Sequence, residues 1–148
     1  MKFLIQRVKN ASVEINSQIV SQINKGFLVF VGISDEDTFQ IADKMINKML
    51  GLRIFEDEND KINLGLKDVD GDLLIVSQFT LYGSLKKTNR PSFVNSCKYE
   101  LAEEYYNYFN KKLKEKIDVK CGVFGADMKI ELVNNGPFTM MIDSDEVF

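Results

Sequence analysis

The chain has 148 residues, is 45% hydrophobic and 28% charged, and carries a net charge of −3 with no histidine. A chain of this size suits one domain, residues 1–148, that buries roughly 70% of its unfolded surface. The composition excludes His-based triads and His-ligated metals, and the two cysteines, Cys97 and Cys121, lack CxxC spacing and read as reduced structural thiols rather than zinc ligands.

The opening, "MKFLIQRVKN", has charges at Lys2, Arg7 and Lys9 and alternates like a strand, not like a signal peptide. No run reaches the ~18 apolar residues of a membrane span, so a cytoplasmic protein is expected. "FLIQRV" (residues 3–8) and "SVEI" (12–15) read as alternating strands, and "FLVFVGI" (27–33) as a strand buried on both faces. Phe39, Ala42, Met45, Ile46 and Met49 fall on one face of a helix over residues 37–50, with Asp35, Glu36 and Asp37 at its start. "FEDENDK" (55–61) reads as an acidic hairpin turn, and "GDLLIV" (71–76) as a further strand. A second helix over residues 100–116 has Leu101, Tyr105, Tyr108, Phe109 and Leu113 on one face. Its lysine-rich end (Lys111, Lys112, Lys114, Lys116) suits a helix C-terminus, as a solvated face or as a contact for phosphates. "MKIELV" (128–133) alternates as a last strand. The sum is a mixed α/β domain with mostly antiparallel strands, whose short connections favour hairpins over βαβ crossovers.

Three stretches hold polar groups suited to chemistry. In "SQFTLYG" (77–83), period two puts Gln78 and Thr80 on one face and Ser77, Phe79 and Leu81 on the other. The stretch is either a polar strand end bonded to nearby backbone or a site. "NNGPFT" (134–139) is either a hairpin connection to "FTMMI" or a rigid loop that offers backbone groups to a ligand. "LKKTNRPSF" (85–93) gathers Lys86, Lys87 and Arg90 around turn residues, as a solvated loop or a phosphate contact.

These stretches occur in order with "IQRVKNASV" (5–13), "LRIFEDE" (52–58) and "FGADM" (124–128). Together, over residues 3–143, they resemble the D-aminoacyl-tRNA deacylase family. The family form has valine where Phe138 stands, so no side-chain role is carried over there. The resemblance implies hydrolysis of the ester that joins a D-amino acid to the terminal adenosine of tRNA. It also implies removal of glycine mischarged on tRNA(Ala), with L-aminoacyl esters spared. A homodimer without metal or cofactor, and with tRNA as its partner, is implied as well.

The same resemblance assigns catalysis to Ser77, Gln78, Phe79 and Thr80. Substrate binding falls to Asn135, Gly136, Pro137, Thr139 and Met128, with the Gly136–Pro137 bond cis and offered to the pocket of the other subunit. Lys86, Lys87 and Arg90 are the expected tRNA contacts. Two mechanisms stay open: attack by the Thr80 hydroxyl, or attack by water aided by the adenosine 2′-hydroxyl, with backbone N–H groups near Phe79 and Thr80 holding the oxyanion. The rivals in function are a non-catalytic RNA- or nucleotide-binding module and an editing deacylase of relaxed chirality. The expected fold is α/β of the α+β type: mostly antiparallel sheets forming a barrel-like core, with two main helices packed on it.

Overall fold

The computed structural model describes residues 1–86 and 88–148. Its organising strand is β1 (Lys2–Ile15), whose other elements dock along both of its edges. One edge pairs antiparallel with β8 (Lys129–Asp143) over residues 2–14. The opposite edge is shared between β3 (Gly26–Gly32), which takes residues 2–8, and β2 (Gln18–Ile23), which takes residues 11–15. The strands expected at residues 3–8 and 12–15 are therefore one. Lys9 and Asn10 interrupt the apolar alternation and the register with β8 shifts there, yet Asn10 still pairs with Val133 and β1 continues. β2 left little trace in the sequence because it is a surface strand, with Ile19 61% exposed.

The preference for hairpins fails in the middle of the sheet. β6 (Asp72–Ser77) lies parallel to β3, and β7 (Lys120–Cys121) parallel to β6. Parallel neighbours require crossovers. The first crossover carries α1 (Phe39–Leu50) and the hairpin of β4 (Arg53–Glu56) and β5 (Ile62–Gly65), which has the acidic turn at its tip. The second carries a 3-10 turn (Phe79–Tyr82) and α2 (Tyr99–Lys114). The uninterrupted apolar runs of β3 and β6 fit this arrangement, because buried parallel strands are covered on both faces. Gly26 makes the pairing possible, since a Cβ there would stand 1.9 Å from the Asp72 carbonyl oxygen. The sheet curls until Ser21 of β2 donates its hydroxyl to the Cys121 carbonyl at 2.6 Å, which nearly closes a barrel.

The two faces of β3 feed two apolar clusters. Phe27, Val29 and Val31 join Phe3, Ile5, Met45, Met49 and Phe109 beneath the helices. Leu28 joins Val8, Val13, Leu74 and Val76 inside the curl. Each such side chain contributes roughly 1.5–3 kcal/mol on burial.

Both helices shift slightly from expectation. α1 starts at Phe39, capped by Thr38, whose hydroxyl accepts from the Ile41 N–H. Asp37 is not part of it; its carboxylate is buried against the Met1 ammonium and accepts from the Ser34 N–H. On α2 the buried face includes Tyr106 and Asn110, while Leu101 is exposed. Tyr106 sets this rotation, because its hydroxyl lies 3.0 Å from the Ile75 carbonyl and 3.2 Å from that of Gly122. A third short helix, α3 (Ser144–Val147), follows β8.

Candidate active site

β6 stops at Ser77, and the Gln78 N–H donates to the Val31 carbonyl at 2.8 Å, the last rung shared with β3. The chain then tightens into the 3-10 turn, closed by Gly83 N–H donating to the Thr80 carbonyl at 2.9 Å. Gln78 and Thr80 are thus not successive outward positions of a strand. They meet all the same, because the turn lets Gln78 Nε2 donate to Thr80 Oγ1 at 2.6 Å. The start of such a turn leaves its first N–H groups without internal partners. Among the described residues, none accepts from the N–H of Phe79 or Thr80.

Beside this turn lies a cavity of about 570 Å³. Ser77, Gln78 and Phe79 form one wall, and residues 124–128, ending in Met128, form another. Its rim is aromatic. Phe79, 57% exposed, packs edge-on against Phe93, and Tyr99 packs edge-on against Phe124. Cys97 lines the wall as well, and burial, then a hydrogen bond and charge from Asp35, pushes its thiol up to about 11. Tyr82, the last residue of the turn, also has its ionisation raised, first by burial and then by Asp37.

The other expected substrate residues lie elsewhere. "NNGPFT" is neither a hairpin nor a free loop. Gln6 of β1 pairs with Thr139 and Val8 pairs with Asn134, so residues 135–138 bulge out of an otherwise continuous β8. The Gly136–Pro137 bond is cis, and both residues are exposed. The bulge is held from beneath on two sides. Asn134 Oδ1 accepts from the Phe138 N–H at 2.6 Å, and its Nδ2 donates to Thr139 Oγ1 at 2.8 Å. Arg7, only 3% exposed, donates through Nε to the Asn135 carbonyl at 2.8 Å and through Nη1 to the Ile54 carbonyl at 2.7 Å. Its Nη2 reaches Glu56 at 3.1 Å, and its guanidinium lies over the Phe138 ring.

Within one chain, then, Ser77, Gln78, Phe79 and Met128 come together. Thr80 stands exposed just outside, and Asn135, Gly136, Pro137 and Thr139 do not line the cavity. Lys86 and Arg90 are exposed on a loop pinned by the Ser84–Ser92 bridge, and Lys87 lies outside the described residues.

A family model described as D-Tyr-tRNA(Tyr) deacylase matches residues 4–143. The chain belongs to that family. It is thereby a hydrolase acting on the ester bond of aminoacyl-tRNA. Among solved structures it is similar to one described as the c-Myc DNA unwinding element binding protein, at 39% identity and a TM-score of 0.92, covering 97% of this chain and 98% of that one. It also shares its fold with a structure described as a probable eukaryotic D-amino acid tRNA deacylase, at 20% identity and a TM-score of 0.80, covering 95% and 97%. No helix among the described residues is long and apolar enough to cross a membrane.

Arg7 and Asn134 of this deacylase support the bulge without belonging to any of the site residues expected from the sequence. The signal for Arg7 was present: it falls in phase with Phe3 and Ile5 on the buried face of β1. A cation at such a position implies buried acceptors.

Proposed function

We propose that this deacylase hydrolyses D-aminoacyl-tRNA and glycine mischarged on tRNA(Ala), sparing L-aminoacyl esters, as a cytoplasmic homodimer. One observation carries the reading. The Gly136–Pro137 bulge is tightly held, is exposed, and stands apart from the cavity of its own chain. A feature so braced and so placed suits insertion into the cavity of a second copy. There its backbone carbonyls would accept hydrogen bonds from the α-ammonium of a D-residue and collide with an L side chain. Glycine, with no side chain, escapes such a wall.

For the chemistry, the unpartnered amides of Phe79 and Thr80 are suited to hold the oxyanion, each donor contributing roughly 3 kcal/mol. Thr80 is a poor nucleophile here. Its oxygen receives a hydrogen bond from the Gln78 amide, which is no base. Water positioned by the 2′-hydroxyl of the terminal adenosine is the attacking group we favour. Lys86, Lys87 and Arg90 are proposed to meet acceptor-end phosphates.

The test is to offer D-tyrosyl- and L-tyrosyl-tRNA separately to the purified enzyme. Rapid hydrolysis of the D ester alone supports the reading, and hydrolysis of both means relaxed chirality. The 39% identical structure is named for binding a DNA element, so a nucleic-acid-binding role beside the hydrolysis is the second reading, and binding of either tRNA with no hydrolysis of the D ester would overturn the first.

A further inference from the structure

A second cavity, of about 740 Å³, lies between α2 and residues 121–124, apart from the residues assigned to catalysis. We propose that it is a second nucleotide subsite, holding the single-stranded tRNA end upstream of the esterified adenosine. The proposal rests on tRNA being the substrate.

The two cavities share a wall. Phe124 lines both, with its ring against Tyr99 on one side and 5.6 Å from the Tyr106 ring on the other. α2 runs past both in order. Tyr99 and Ala102 face the first cavity; Glu103, Asn107, Asn110, Lys111 and Lys114 face the second. At a rise of about 1.5 Å per residue, Lys114 lies about 18 Å along the helix from Ala102, farther than one nucleotide reaches. A strand whose last adenosine sits in the first cavity therefore has a path along α2.

The lining changes character along that path. Near Phe124 the lining is apolar and aromatic, with the neutral amides of Asn107 and Asn110 for a base edge. Glu103, also at that end, is an acceptor for an exocyclic amino group such as that of cytosine. Asn110 is 9% exposed, and its side-chain oxygen has no partner among the described residues. That leaves an unused acceptor just beneath the wall, which a base donor satisfies only if the Asn110 side chain turns outward. At the far end stand Lys111 and Lys114. Glu115 lines the same end, and among the described residues its carboxylate is paired with Lys112 at 3.7 Å rather than with Lys111 or Lys114. Two cations side by side at the end of a polar groove suit consecutive phosphates.

The experiment compares D-tyrosyl-tRNA with D-tyrosyl-adenosine, which has no upstream nucleotides. The K111E/K114E pair should raise KM for D-tyrosyl-tRNA about tenfold at physiological salt and leave kcat and the adenosine ester unchanged. It should also flatten the dependence of log KM on log salt by about 1.4, at about 0.7 for each lost phosphate contact. The milder K111Q/K114Q pair, which avoids acidic residues at a helix C-terminus, should shift KM the same way by about threefold. K61E/K67E, with the same added charge away from the groove, should shift it less than either. Unchanged KM in both groove pairs, an equal loss on both esters, or an equal shift in the control pair overturns the proposal. If the unaltered enzyme hydrolyses neither ester, the tRNA reading itself falls.

Discussion

Arg7 Nε donates to the Asn135 carbonyl at 2.8 Å, so an exposed backbone bulge is anchored by a buried guanidinium. The same side chain spans to the Ile54 carbonyl and Glu56 on the β4–β5 hairpin. Arg7→Lys keeps the charge and loses the planar fork that serves three acceptors. The buried Ile54 carbonyl and the part-buried Asn135 carbonyl would then lose their donors, at about 1–3 kcal/mol. The expected outcome is a Tm lowered by several degrees and at least a tenfold fall in D-tyrosyl-tRNA hydrolysis, read by thermal melts and single-turnover kinetics. Glu56→Gln, at a half-exposed position, should cost less than about 1 kcal/mol. If Arg7→Lys leaves activity intact, the anchor does not govern the bulge.

Gly136 has φ of +142°, in the region that L side chains avoid, and a Cβ there would meet Arg7 Nη2 at 3.0 Å and the Phe138 nitrogen at 3.1 Å. Gly136→Ala must therefore shift either the bulge or its anchor. Because the bulge is exposed, the stability loss should stay near 1–2 kcal/mol. Deacylation should fall much further, by about a hundredfold, if the bulge forms the substrate wall. Urea unfolding and initial rates on the same sample separate the two effects, and a rate loss no larger than the stability loss argues against the wall.

The outline of the fold was legible because the core strands and both main helices have clean periodicity, as in Met45 and Met49 of α1. The crossovers were not legible. Sequence periodicity reports that β3 and β6 are buried on both faces, but not that they run parallel. The bulge was hidden for a similar reason. Asn-Gly-Pro marks a change of direction, and only the partner strand decides whether the chain reverses or resumes its course, as it does between Asn134 and Thr139. Of the site, the polar cluster at residues 77–80 could be read, while the support from Arg7 depends on contacts 47 and 128 positions away.

Thr80→Ala distinguishes the two mechanisms. The substitution removes a hydroxyl that accepts from Gln78 Nε2 but leaves the Thr80 backbone N–H in place. If the backbone holds the oxyanion and water attacks, the single-turnover rate should drop by no more than about tenfold, equivalent to roughly 1.4 kcal/mol of barrier. Gln78→Ala should behave similarly. A rate reduced to background with tRNA binding preserved would instead make the Thr80 hydroxyl the nucleophile.

Cys97 provides a pH signature for the cavity wall. Burial first, and Asp35 second, raise its thiol from 9.0 to about 11. The thiolate is the reactive form, so at pH 8 alkylation of Cys97 in the folded enzyme should be about a hundredfold slower than in the unfolded chain. A raised thiol ionisation favours the folded state only while the unfolded thiol remains protonated. That stabilisation is complete below about pH 9 and is lost as pH rises to about 11. Several tyrosines are raised in the same direction, so the contribution must be isolated by difference. The gap in unfolding free energy between the unaltered enzyme and Cys97→Ala should hold constant from pH 7 to 9 and narrow from 9 to 11. Urea titrations at each pH measure it, and a gap that stays constant to pH 11 would mean that the thiol is not held in a desolvated wall.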